Sequence, residues 1–184
     1  MALVKKEVVL AELRTALDSV DAEAVDALER QILQSREVFC CGYGRSGLCG
    51  RAFAMRLMHL GIASGVVGDT LARPIQAGDL LVVTSASGSS KALALMAEKA
   101  RELGAQVALI TADEASELAE WADIVVLVQA QTKCVAQDRQ ISVMPMGSLF
   151  EEAVFVLLDL IVADLMETTG ICNEDMVKRH ANLE

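Results

Sequence analysis

The 184-residue sequence carries five cysteines but no C-x-x-C pair. The spacing used by zinc ribbons and small disulfide scaffolds is therefore missing, and Cys40 and Cys41 stand side by side in an apolar run. A reducing cytoplasm is expected, with no metal site. Basic residues are also short: 16 Lys and Arg face 26 Asp and Glu, for a net charge of −10. A polyanion needs a positive field, so nucleic acid is not an expected partner, while a small anion can still bind locally. No long apolar run is free of charge. Lys5, Lys6 and Glu7 interrupt the start where a signal peptide needs an unbroken apolar segment, so nothing there directs export. The most hydrophobic stretch, 148–166, holds Glu151, Glu152, Asp159 and Asp164, which argues for a buried helix rather than a membrane span. Walker A spacing is absent, as are repeats, low-complexity tracts and interdomain linkers. Histidine is nearly absent too, with only His59 and His180.

What is present is an apolar content of 53% in a regular pattern. Leu3, Leu10, Leu13 and Leu17, then Val25, Leu28, Ile32 and Leu33, recur at helical spacing, so 1–35 is expected to form two helices that pack on the rest of the domain. From residue 37 short apolar runs alternate with helices. Strands are expected at 38–41, 65–67, 79–85, 106–111 and 123–128, with helices at about 46–60 and 90–103 and a short one at 115–121. Strands that are apolar throughout and separated by helices predict a five-stranded parallel sheet covered on both faces, a doubly wound α/β domain over 1–184. Residues 129–146 read as a surface loop. After Gly147 a long helix runs to about 168, and Asn173 is placed to cap a last one. The long helix has apolar residues at almost every angle, more than a small domain buries alone, so a homo-oligomer is expected.

Two turns follow strands and lead into helices, where free N–H groups and the helix dipole favour an anion. The first, G42-Y-G-R-S-G47, fits a dinucleotide fingerprint, and Asp69 lies 22 residues past Gly47. Against a nucleotide stand Arg45 and Ser46 inside the turn; alternatively, the glycines serve only a tight strand-to-helix connection. The second, S85-A-S-G-S-S90, offers four hydroxyls around one glycine and suits a phosphoester; the competing reading is a serine-rich helix cap.

Together G42-Y-G-R-S-G-L-C-G-R-A-F-A-M-R-L-M-H-L-G61, S85-A-S-G-S-S90, M144-P-M-G-S-L-F-E151 and K178-R-H-A-N-L-E184 resemble the 6-phospho-3-hexuloisomerase group of the sugar isomerase (SIS) family, which has a flavodoxin-like fold. The likeness covers nearly everything from Val38 onward, with Ala86 where the family commonly has glycine. It implies interconversion of D-arabino-hex-3-ulose 6-phosphate and D-fructose 6-phosphate through an enediolate, in the ribulose monophosphate route of formaldehyde fixation. It requires no cofactor and suggests a tetramer, with the helices of 1–35 and 147–184 packing on the sheet and on neighbouring subunits. On this resemblance Ser85, Ser87, Gly88, Ser89 and Ser90 anchor the phosphate, Ser46 helps fix the sugar, and Arg45 meets the phosphate or a hydroxyl. Glu151 is the proton carrier, and Glu152, about 100° away on the helix, points elsewhere. His180, in a tail able to reach a neighbouring subunit, or His59 assists at the oxygens; His59 alternatively caps its own helix near Gly61. Another sugar-phosphate isomerase, or a non-catalytic sugar-phosphate sensor, are the alternatives.

Overall fold

A computed structural model describes residues 5–132 and 142–183. Its centre is a sheet of five parallel strands: β1 (Val38–Gly42), β2 (Ser64–Val66), β3 (Leu80–Thr84), β4 (Gln106–Thr111) and β5 (Ile124–Leu127), in the order β2-β1-β3-β4-β5. Val38 pairs with Leu80 and Leu80 with Gln106, a register that brings Gly42 beside Thr84 at the carboxyl ends. Alternate side chains enter two cores, as a sheet buried on both faces requires. Val38, Cys40, Leu80, Val82, Ala108 and Ile110 meet one set of helices, whereas Phe39, Cys41, Leu81, Val83, Val107 and Leu109 face the other side.

The first side is covered by α2 (Ala22–Gln34), α3 (Gly44–Leu60) and α5 (Ser148–Thr169), and α1 (Lys6–Asp18) lies on α5. The second side is covered chiefly by α4 (Lys91–Glu102). Leu13, Leu17, Leu28 and Ile32 pack as their spacing predicts, but Leu10 and Leu33 are exposed in the single chain, and Leu3 lies outside the described residues. On α5 the apolar surface is likewise divided: Phe150, Val154, Leu157, Leu158 and Ile161 are buried, while Phe155, Val156 and Leu160 face outward.

Local chemistry corrects two expected elements. Residues 115–121 form only a 3-10 turn at Ala119–Trp121. The Asp113 carboxylate takes the N–H of Ala115, and the N–H of Leu118 donates to the Gly88 carbonyl, so these groups serve neighbours instead of a helix. The last helix, α6 (Asn173–Lys178), has Cys172 as its N-cap, with Asn173 already inside. Asp175 reaches back to accept from the Cys172 N–H at 3.4 Å, the reciprocal half of a capping box. Of the predicted loop at 129–146, residues 133–141 lie outside the described residues; its ends are tied by Gln131, whose amide donates to the Met146 carbonyl and whose oxygen accepts from Ser142 N–H.

The tail after α6 docks on the end of α3. Arg179 Nη1 donates to the His59 carbonyl at 3.0 Å, and the His59 and His180 rings stack with centroids 5.2 Å apart. His59 is 2% exposed, and burial, then His180, then Arg56 lower its pKa. Helix α3 ends instead on Gly61, at φ 84, so the His59 ring is a packing group rather than the cap.

Two consequences are measurable. A Cβ at Gly47 would overlap the Gly42 carbonyl, so Gly47→Ala is expected to destabilise by about 1–3 kcal/mol in denaturant titration. Because His59 is depressed in the folded state, the unfolded chain binds its proton more readily, and stability from this group is lost as pH falls through the ordinary imidazole range. Between about pH 7 and pH 5.5 the wild type should lose more melting temperature than His59→Gln; equal losses contradict the assignment.

Candidate active site

In an open parallel sheet ligands bind beyond the carboxyl ends of the strands, where strand order reverses. Here the chain leaves β1 for β2 on one side and β3 lies on the other, so the crevice opens between the ends of β1 and β3. A cleft of about 590 Å³ occupies that position. It is lined by Arg45 and Ser46 from the first turn, Ser85, Ser87, Ser89 and Ser90 from the second, and Glu151 from the first turn of α5. Gly88 belongs to the same loop but lies behind it, against Ser116.

The two turns are held against each other by close backbone packing. A Cβ on Gly42 would lie 2.6 Å from Thr84 Oγ1 and 2.7 Å from the Thr84 carbonyl. The Thr84 hydroxyl, fully buried, donates to the Ser46 carbonyl at 2.7 Å, clamping the start of α3 onto the end of β3. The glycines at 42 and 47 therefore serve the tight strand-to-helix approach that was one of the two readings of their motif. Asp69, the candidate ribose acid, is paired with Arg51 at 2.9 Å.

The serine loop is anchored from behind. Ser85 N–H donates to the Ile110 carbonyl, and the Ala86 carbonyl accepts from Ala112 N–H at 3.0 Å and from the Thr111 hydroxyl at 3.2 Å. The left-handed position of the loop is Gly88, at φ 56, and Ala86 is not at positive φ, so the alanine causes no strain there. At the front Ser87 Oγ and Ser89 Oγ are 2.8 Å apart, and Ser90 caps α4 by accepting from Leu93 N–H at 3.5 Å. Hydroxyls and the free N–H groups of a helix start thus face one cleft, a donor set suited to a phosphate monoester.

Across the cleft, Arg45 bridges two carboxylates, with Nε on Glu151 and Nη2 on Glu152 at 2.7 Å. The two acids differ as their helical angle predicts: the Glu151 side chain is 18% exposed and lines the serine cleft, while that of Glu152 is 50% exposed and lies outside it. The Arg45 pKa is raised, first by its hydrogen bond to Glu151. Cys49 ties α3 to α5 by donating to the Glu151 carbonyl at 3.4 Å; burial, then Glu151, push its thiol up to about 11, so it stays a neutral donor.

Neither histidine lines this cleft in the single chain. His59 stands at the other end of α3, about 20 Å from Gly44 by helical rise. Several groups at the cleft escaped the reading of the sequence: Tyr43, Thr84, Thr132 and Met146 line it, and Thr111 and Ser116 back the serine loop. Thr84, the last residue of β3, carried the only usable signal, its place directly before the serine run. Met146, at φ 55 just before α5, is a non-glycine residue in the left-handed region at the rim of a site, where such backbone strain tends to concentrate. Among the described residues no three His, Cys, Asp or Glu side chains gather as metal ligands would.

Comparison with known proteins places this geometry. A family model for the SIS domain matches residues 31–154. The 3-hexulose-6-phosphate isomerase of Bacillus subtilis (strain 168) is 38% identical over 176 residues, covering 96% of this chain and 95% of that protein. The 3-hexulose-6-phosphate isomerase of Mycobacterium gastri is 44% identical over 165 residues, 90% of this chain and 82% of its own length. A crystal structure of a Methanococcus jannaschii protein, from which a molecular function of 3-hexulose-6-phosphate isomerase was inferred, superposes with a TM-score of 0.86 at 30% identity over 99% of this chain and all of that one. The fold, the switch-point cleft and these relatives agree: the chain belongs to the SIS domain family.

Proposed function

We propose that this chain is an isomerase that interconverts D-arabino-hex-3-ulose 6-phosphate and D-fructose 6-phosphate. The observation that carries the reading is the meeting of a hydroxyl-rich phosphate loop and a largely buried carboxylate, Glu151, in one cleft of a chain whose full-length relatives bear that activity. The ribulose monophosphate route of formaldehyde fixation is the setting such an activity implies. Mixing the protein with the hexulose phosphate and following fructose 6-phosphate tests it directly; binding without turnover favours a sensor.

Moving the ketone from C3 to C2 requires that the C2 proton leave and a proton be added at C3, with a proton passing from the C2 oxygen to the C3 oxygen. Ser87, Ser89 and Ser90 with the start of α4 hold the phosphate, and Ser46 and Ser85 face the sugar. Glu151 takes the proton from C2, leaving the enediolate, and returns it at C3. Arg45 faces the developing oxyanion, and Glu152 keeps the guanidinium tethered when Glu151 turns to the substrate.

The outward Phe155 of α5 and the exposed Leu48 of α3 share a groove with Arg45 and Glu152, beside the cleft. A second copy packed there excludes water from the catalytic acid, and a homo-oligomer of this kind, a tetramer by resemblance, brings the His59–His180 pair toward a neighbour's cleft. One of these rings then serves the oxygens. The cytoplasm is the proposed location; among the described residues no helix is long and apolar enough to cross a membrane.

Glu151→Gln is expected to lower kcat by about 10²–10⁴-fold and leave substrate affinity within about tenfold, whereas Glu152→Gln should keep most of the turnover. Similar losses in both variants would remove the distinction between the two acids. Ser87→Ala and Ser90→Ala should each weaken fructose 6-phosphate binding by about 1–3 kcal/mol, read by calorimetry; unchanged binding moves the phosphate elsewhere.

A further inference from the structure

Among the described residues two buried side-chain oxygens have no hydrogen-bond partner, Glu29 Oε1 and Ser116 Oγ. Glu29 stands on α2, facing Asp26 and Asp164. Ser116 is 8% exposed and stands directly behind the serine loop. Its own backbone is fully engaged: the N–H donates to the Asp113 carbonyl at 3.4 Å and its carbonyl accepts from Ala119 N–H at 2.9 Å. Only the hydroxyl is left over. In front of it lies Gly88, where a Cβ would overlap Ser116 Oγ and where Thr111 Oγ1 is the next polar atom, at 3.7 Å.

A buried hydroxyl without a partner destabilises the state in which it is found, and alanine would occupy the same space without that cost. Its position points to a second state in which it is paired. Gly88, at φ 56 and without a side chain, is the residue of the loop most free to turn its peptides. When an anion draws the loop N–H groups into the cleft, the opposite ends of those peptides, the carbonyls, swing backward toward Ser116.

We propose that Ser116 is a positioning residue of the phosphate loop: its hydroxyl, without a partner in the present arrangement of the loop, donates to a loop carbonyl at Ser87 or Gly88 when the phosphate of the sugar is bound. The inference rests on the reading of 85–90 as the phosphate loop. Ser116 touches no substrate; it favours the ligand-bound arrangement of the residues that do. The segment behind the loop thereby has a share of the affinity and none of the chemistry.

Ser116→Ala and Ser116→Cys, the second filling the space with a much weaker donor, separate the hydrogen bond from packing. Both should melt at or above the wild-type temperature without ligand, raise KM and the fructose 6-phosphate dissociation constant by about three- to tenfold, and keep kcat within about twofold. A lower melting temperature with unchanged KM makes the hydroxyl structural and overturns the proposal. So does a KM that rises for alanine but not for cysteine, which would trace the effect to volume. Ser87→Ala distinguishes the two levels of failure. If it weakens binding while Ser116→Ala does not, only the role of Ser116 falls; if neither variant alters binding, the phosphate-loop reading falls with it.

Discussion

The site depends on how closely β1 and α3 approach β3. Gly42 and Gly47 leave no space for a side chain, and the Thr84 hydroxyl fastens the Ser46 carbonyl across the gap. That contact fixes the distance between the two turns at the switch point of the sheet, and therefore the width of the cleft. The polar groups of the cleft are placed relative to it: the serine loop continues directly from Thr84, and Arg45 and Ser46 lie between the two crowded glycines. Helix α5 is joined to the same frame through Arg45 and through the Cys49 thiol on the Glu151 carbonyl. The Glu151 carboxylate thus stands opposite the serine loop because three separate chain segments converge on the start of α3.

This dependence explains why the G-x-G-x-x-G pattern is ambiguous as a sequence. The same glycines that let a pyrophosphate approach a backbone also let a strand and a helix close on a neighbouring strand. In this chain the latter use is visible at Gly42 and Gly47, while the hydroxyls of the cleft are concentrated past the end of β3, at residues 85–90. Relatives of the SIS domain family share this arrangement at the level of the fold, and most polar groups of the cleft come from the motifs at 42–61, 85–90 and 144–151, with Thr84 and Thr132 added from outside them.

Much of this was legible in the residues. Five apolar runs, most of them separated by helical periods, indicated the sheet, since a sheet covered on both faces requires strands without polar alternation. The strand-end rule singles out 42–47 and 85–90, and the angular separation of Glu151 and Glu152 matches their different exposure. The rest was set by contacts distant in sequence. Residues 115–121 lost their helix because Leu118 N–H is taken by Gly88, some thirty positions earlier. Thr111 and Ser116 lie in unremarkable sequence, and only the fold brings them against the serine loop. The stacking of His59 on His180 joins the end of α3 to the tail, which no periodicity encodes.

The proposed catalysis requires that one substrate span the serine loop and Glu151. A crystal structure with fructose 6-phosphate tests that requirement most directly. The phosphate should sit among Ser87, Ser89 and Ser90 at the start of α4, with the Glu151 carboxylate turned from Arg45 to lie beside C2 and C3. A sugar bound with its phosphate away from this loop, or with C2 and C3 beyond the reach of Glu151 in every copy, would contradict it.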